Sequence, residues 1–203
     1  MMTRVDSRSL PAPSARGSVL IDVLTCMTFV LLLVGTAQTW ARAVLFAQKA
    51  LETSATAQEE AVLALDALAR DVRNAGFDAG TAVSPIVAAT RESLEMIADL
   101  NGDGDTDDGN EHVRYAHRAD RRQITRASGR GNPQPFADDV PAGGLSFTLW
   151  DASGQAIGGT DAADMKRIRR IDVRLRIEQP SPDPRAIDPI RAEATTAIAL
   201  RNQ

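Results

Sequence analysis

From Val19 to Ala41 the chain carries a single charged side chain, Asp22, and the next charge comes only at Arg42. As a helix, Ser18 to Ala41 spans about 36 Å at roughly 1.5 Å per residue, enough to cross a bilayer. The run therefore reads as a membrane segment. An unpaired Asp at the centre of such a segment costs about 2.5–3.5 kcal/mol, and less toward the end, where Asp22 lies. A partner cation is expected, and an amine is the nearest chemistry.

The preceding residues show where that amine could come from. Met1 to Gly17 carries Arg4, Arg8 and Arg16 against Asp6, with Pro11 and Pro13. This composition predicts a short, basic, unfolded leader held on the cytoplasmic side. It is followed by Ser18, Leu20, Ile21 and Asp22, and in this order the chain resembles the type IV prepilin family: a basic leader ending in Gly, a new N-terminal residue, a short apolar stretch and an acid. The resemblance implies cleavage by a prepilin peptidase between Gly17 and Ser18, and N-methylation of the amine exposed on Ser18. It also implies an ion pair between Asp22 and the N-terminal amine of a neighbouring subunit during assembly. Two positions depart from the family pattern. Ser18 stands where Phe or Met is usual, and Asp22 where Glu is usual, which keeps the charge with one methylene less of reach.

The partners implied by the resemblance are other major and minor pilins, the prepilin peptidase, the inner-membrane assembly platform and membrane lipid. The location it implies is a single-pass inner-membrane protein with its soluble part in the periplasm, passing into a pilus or pseudopilus on the cell surface. An ordinary secretory signal stays open as a different reading, with an apolar core from Val23 to Val34 and small residues Gly35 and Ala37 around a cut. A lipoprotein signal on Cys26 fits less well, because Val19 to Thr25 is too short for the apolar region.

With 203 residues, 43% hydrophobic and 25% charged, the chain can bury one real core behind this segment. The net charge of −4 becomes more negative still once a leader with three Arg and one Asp is removed, so bulk attraction to nucleic acid is not expected. Cys26, the single cysteine, lies inside the apolar run and precludes an intrachain disulfide. Core packing or a metal must hold the soluble part together.

Helical patterning continues past the membrane run. No Pro or Gly occurs from Arg42 to Ala75, and Val62, Leu65, Leu68, Ala69 and Val72 recur at spacings of three and four as one apolar stripe. Gly76 is the expected stop. The reading divides the chain into a leader (1–17), a transmembrane and assembly helix (18–41), an amphipathic continuation (42–76) and a β domain (77–203). Leu68-Ala69-Arg70-Asp71-Val72-Arg73-Asn74-Ala75-Gly76-Phe77 is similar to the helix end of PilW-type minor pilins and of J-type minor pseudopilins of type II secretion. Leu200-Arg201-Asn202 resembles the ending of PilW-like chains.

Beyond Gly80 short alternating segments predict strands at 93–98, 111–117, 122–127, 144–150, 168–177 and 192–200, with turn-rich pieces at 128–135 and 179–184. Short polar connections with no helix-length segment between them argue for an antiparallel sheet. The expected class is therefore α+β, a long N-terminal helix packed on an antiparallel β-sheet, as in pilins.

The densest acidic patch runs from Asp99 to Glu111. Oxygen-bearing side chains at Asp99, Asn101, Asp103 and Asp105, with Gly104 allowing a sharp turn, match the first half of an EF-hand calcium loop. Asp107, Asn110 or Glu111 could complete the ligand set, so Ca²⁺ is a candidate cofactor. The match departs at the twelfth position, which is Asn110 with Glu111 one residue late, and the flanks read as strands. A solvated acidic hairpin turn is the competing interpretation. Six acids in thirteen residues repel one another unless something neutralises them.

In the segment 168–177, Ile171, Val173, Leu175 and Ile177 alternate with Arg170, Asp172, Arg174 and Arg176, giving a core face and a mostly cationic face. That face could meet an acidic neighbour or phosphates, but an ordinary solvated face explains it as well, and no aromatic platform accompanies it. His112 and His117 are five apart on an expected strand and so face opposite sides, which makes them poor joint metal ligands. No phosphate loop, nucleophile elbow or His/Cys zinc spacing is present, so the chain is not expected to be an enzyme.

Overall fold

The computed structural model describes residues 15–79, 84–158 and 161–202. The expected leader therefore lies outside the described residues up to position 14. The chain divides into two compact units, Met1–Ala47 and Gln48–Gln203. The class is α+β, with one long N-terminal helix and antiparallel sheets.

Helix α1 runs Ala15–Asn74, so it begins inside the expected leader, shortly after Pro13. In the first unit its side chains from Val19 onward are almost all exposed, including Leu24, Phe29, Leu31 and Leu33. Its threonines satisfy themselves within the helix: the hydroxyls of Thr25 and Thr28 donate to the carbonyls of Ile21 and Leu24 at 2.7 and 2.5 Å. Those of Thr36 and Thr39 donate to Leu33 and Thr36 at 2.9 and 2.8 Å. Hydroxyls bonded within the helix in this way make no polar demand on an apolar surrounding.

In the second unit the stretch of α1 from residue 48 onward buries a stripe of Ala57, Ala61, Ala64, Leu65, Leu68, Ala69 and Val72. Val62, expected in this stripe, is 42% exposed. Its position is about 100° round the helix from Ala61, off the face that Leu65, Leu68 and Val72 define. Four of these seven residues are alanines.

The expected single sheet is two. The first contains β1 (Ile86–Ala89), β2 (Ser93–Ile97), β3 (His112–Arg118), β4 (Gln123–Ser128) and β5 (Gln134–Ala137), paired in that order and antiparallel throughout. The second contains β6 (Leu145–Trp150), β7 (Ala156–Ile157), β8 (Arg170–Gln179) and β9 (Ile190–Ala199), in the order β7-β6-β8-β9, also antiparallel. A one-turn helix, α2 (Ala162–Met165), lies between β7 and β8 in sequence. The six expected strands are present within two residues at each end. Three more, β1, β5 and β7, are additional, and β4 and β5 extend into the stretch 128–135 expected to be turn.

Both sheets and the helix share one core. Leu68, Ile86, Leu94, Tyr115 and Ile124 meet Leu145, Ile171, Leu175, Ile177 and Ile198 in a single apolar cluster. The end of α1 is fastened from two directions. Gly76, with φ +77°, donates to the Ile97 carbonyl at 2.8 Å, and the Asn202 side-chain amide donates to the Ala75 carbonyl at 3.4 Å. The two stretches that carry the resemblance to PilW-like chains, at Leu68–Phe77 and Leu200–Asn202, are thus in contact.

Candidate functional site

Two features carry chemistry, one in each unit. In the first, α1 is long and apolar enough to cross a membrane, with none of its most apolar window buried; such a helix serves as a single-pass anchor or as a signal sequence. Asp22 is exposed on it and has no hydrogen-bond or ion-pair partner among the described residues. Gly17 and Ser18 fall within the first turn of α1, and the Ser18 side chain lies outside what the structure describes. A lone carboxylate on an otherwise uncharged helical surface is the arrangement that an external cation would relieve.

The second feature is the loop joining β2 to β3. Its base is closed by Ala98 N–H donating to the Glu111 carbonyl at 2.8 Å, and it is tied to the end of α1 by Asp99 N–H donating to the Phe77 carbonyl at 2.7 Å. Gly102 and Gly104 adopt φ of +75° and +87°, and Asn110 +71°, which is why Asn-Gly and Asp-Gly pairs occur here. A ladder of side-chain turns follows. Asn101 Oδ1 accepts from Asp103 N–H at 2.8 Å, Asp103 Oδ1 from Asp105 N–H at 3.0 Å, and Asp105 Oδ1 from Asp107 N–H at 3.0 Å. The Asp105 amide, and after it the Asn101 side chain, hold the Asp103 carboxyl below the usual carboxylate range.

Two of the acids are inside the protein. Asp99 is 3% exposed and Glu111 is 2% exposed. Asp99 accepts from Gly102 N–H at 2.6 Å and from Gly104 N–H at 3.0 Å. Glu111 Oε1 accepts from Leu100 and Asn101 N–H at 2.8 and 3.0 Å, while its Oε2 is buried with no hydrogen-bond partner. Carboxylate oxygens of Asp99, Asp103 and Glu111 lie within 4.8 Å of one another. At that separation two like charges repel by about 3 kcal/mol at an effective dielectric near 20. A buried acceptor left unpaired adds about 1–3 kcal/mol. Three such oxygens could hold a metal ion.

The other expected ligands are distributed differently. Asp105 belongs with Asp103 and Asp108 to a second, fully exposed group. Asp107 pairs with Arg130 at 2.8 Å, and Asn110 Oδ1 accepts from Arg126 at 3.2 Å and from the Ser128 hydroxyl at 3.3 Å. Asn101 donates from its amide to Asp103 at 2.9 Å and to Asp108 at 3.3 Å. Asp108 was not distinguishable as a ligand from the alternating spacing, since it falls off the odd-numbered series.

His112 and His117 go to different partners. His112 Nε2 meets Glu95 Oε1 at 2.6 Å, whereas His117 donates from Nε2 to the Val140 carbonyl at 3.1 Å. On β8, Ile171, Val173, Leu175 and Ile177 are all buried, and the arginines of the other face find acids nearby: Arg170 with Asp172 at 3.0 Å, Arg174 with Glu193 at 2.8 Å, Arg176 with Glu178 at 3.6 Å. Arg170 also lies 4.8 Å over the Trp150 ring. The cationic face is internally compensated.

In comparison with known proteins, the chain matches no protein-family model and no curated protein.

Proposed function

We propose that this chain is a PilW-like minor pilin, a subunit that enters a type IV pilus or pseudopilus through its N-terminal helix and aids initiation or tip assembly. The observation that carries the reading is Asp22, the one charge between Val19 and Ala41, exposed on an apolar helix with no partner among the described residues. Cleavage after Gly17 would leave a methylated Ser18 amine, and the amine of a neighbouring subunit is the cation that Asp22 needs. The soluble part then stands in the periplasm, and its partners are other pilins, the prepilin peptidase, the assembly platform and lipid. No catalytic role is proposed. The test is intact-mass and N-terminal peptide analysis of the protein from membranes of hosts with and without prepilin peptidase. A peptidase-dependent, N-methylated Ser18 is the expected result; an N-terminus near Gln38, or an uncut leader in both hosts, overturns the reading.

A second reading, a calcium-dependent periplasmic binding or adhesion module on a membrane anchor, is favoured by the convergence of Asp99, Asp103 and Glu111. The two are compatible, since a pilin scaffold can carry a binding loop. Partner binding that depends on calcium would distinguish the module from a subunit with assembly duties alone.

A further inference from the structure

We propose that the β2–β3 loop holds one Ca²⁺ at Asp99, Asp103 and Glu111, and that the ion is structural, locking the loop onto the C-terminal end of α1. Three carboxylate oxygens converge within 4.8 Å. Among the described residues, no Lys, Arg or His forms an ion pair with any of these three acids, although Asp107 beside them has Arg130. Glu111 adds an observation independent of the clustering. It is 2% exposed, one oxygen is occupied by two backbone amides, and the other is buried with no partner. A buried carboxylate oxygen without a donor is a group built to face a cation.

The donor chemistry selects the ion. All the candidate ligands are oxygens, which disfavours zinc and the other borderline metals that take nitrogen and sulfur. The loop turns on Gly102 and Gly104, a pliant backbone that suits the flexible geometry of calcium better than the rigid octahedron of magnesium. Asp99 and Glu111 are also the residues at the loop's base: the Asp99 amide bonds Phe77, and the Glu111 carbonyl accepts from Ala98. An ion between their side chains therefore clamps the loop to the helix end. The exposed Asp103, Asp105 and Asp108 group has neither burial nor an orphaned oxygen and is assigned no ion.

The site stands whether or not the chain is a pilin, and it supplies the metal that the binding-module reading requires. The experiment uses the full chain in detergent micelles, stripped of metal with EGTA. Calorimetric titration with CaCl₂ and thermal unfolding at rising CaCl₂ or MgCl₂ are measured for the parent, Glu111→Gln, Asp103→Asn, and Asp188→Asn as an exposed acid elsewhere. Expected are one calcium per chain, a midpoint that climbs with the logarithm of calcium concentration, and a response to magnesium at least tenfold weaker. Asp188→Asn should match the parent and Glu111→Gln should lose the calcium shift. Should Glu111→Gln fail to fold, exposed Asp103→Asn keeps the test open, with affinity lowered about tenfold or more. No heat and no shift in the parent, or a parent-like calcium response in Asp103→Asn, overturns the site. Calcium binding without any partner binding leaves the site standing while the adhesion module falls.

Discussion

Tyr115 donates its hydroxyl hydrogen bond to Asp71 Oδ2 at 2.8 Å, joining β3 to α1 within the second unit. Arg126 on β4 completes the group, its Nε donating to Asp71 at 3.0 Å and to the Tyr115 oxygen at 3.2 Å. The Tyr115 ring packs edge-on to Phe136 with centroids 4.9 Å apart, and the Arg126 guanidinium carbon lies 6.0 Å from the Tyr115 ring centroid. Helix and sheet are thereby held in one register by a polar triad in which Tyr115 is buried and Asp71 and Arg126 are partly exposed.

Removing the hydroxyl with Tyr115→Phe should cost about 1–2 kcal/mol, less than the loss of an isolated bond to a charge because Arg126 still satisfies Asp71. The same residue makes the protein sensitive to alkali. Burial first, and then the Asp71 charge, raise the Tyr115 phenol well above its ordinary value. Because the unfolded chain releases that proton at about pH 10 while the folded chain retains it, this contribution to stability is whole below about pH 10 and lost as pH rises beyond it. Tyr115 is the chain's one tyrosine, so tyrosinate absorbance reports it without overlap. Ionisation at the ordinary tyrosine value in folded protein would refute the prediction.

Gly76→Ala should be among the most damaging single-methyl additions, at about 2–3 kcal/mol. The residue has φ +77°, and a Cβ there would meet the Asn202 carbonyl oxygen and, at 2.7 Å, Pro85 Cγ. Gly143, with φ +66° and nothing within 4 Å of the added carbon, provides the control, with an expected loss of about 1 kcal/mol. Denaturant midpoints of the two variants in detergent decide the matter. Equal losses would mean that backbone strain alone, and not crowding at the helix end, governs Gly76.

Asp151 organises the turn between β6 and β7, accepting from the Ser153 hydroxyl at 2.6 Å and from the Ser153 and Gln155 amides at 2.9 Å, with Arg167 at 2.9 Å on its other oxygen. The Ser153 hydroxyl bond, followed by the Gln155 amide, pulls its carboxyl down to about 2. A depressed folded value contributes stability above the unfolded value near 4, and that stability disappears as pH falls from there toward 2. A carboxyl-carbon NMR titration should find Asp151 still ionised when the ordinary aspartates have protonated. Asp151→Asn should shift Ser153 and Gln155 amide resonances while leaving β8 and β9 unchanged.

If the pilin reading holds, Asp22→Asn leaves membrane insertion intact but abolishes entry into filaments, because the amide offers no charge to a neighbour's amine. Asp22→Glu, with its longer reach, should support assembly at least as well as the parent. Fractionating sheared filaments from membranes measures both. Normal incorporation of Asp22→Asn would remove the ion pair from the mechanism.

What could be read from the residues was whatever is periodic or sharply punctuated. The uncharged run, the long helix and six strands with clean alternation, such as Ile171 to Ile177, were all legible. The strands that were not visible lack that signal for local reasons. β1 is four residues, buried only at its two ends and interrupted by a bulge between Ile86 and Ala88. β5 contains Pro135, which cannot donate to a ladder and fits here because β5 is the edge of its sheet. β7 is two residues long. Division into two sheets was hidden because alternation specifies which face is buried and not which strand is the neighbour; β8 bypasses β7 to pair with β6. At the acidic loop the oxygen spacing was apparent, but the burial of Glu111 depends on the helix end and the β3 register, which no window of the loop contains.

The meeting of Asn202 with the end of α1 also sets an order of events. The carbonyls of Arg73 and Ala75 wait for an amide that is 129 and 127 residues downstream, and β8 waits for β9. A ribosome or translocon releasing this chain from its N-terminal side delivers the helix first and its clasp 127 residues after Ala75. Until β8 and β9 emerge, the apolar stripe from Ala57 to Val72 has only part of its cover. The second unit accordingly closes late, and the interval before it does is when a chaperone would have something to hold.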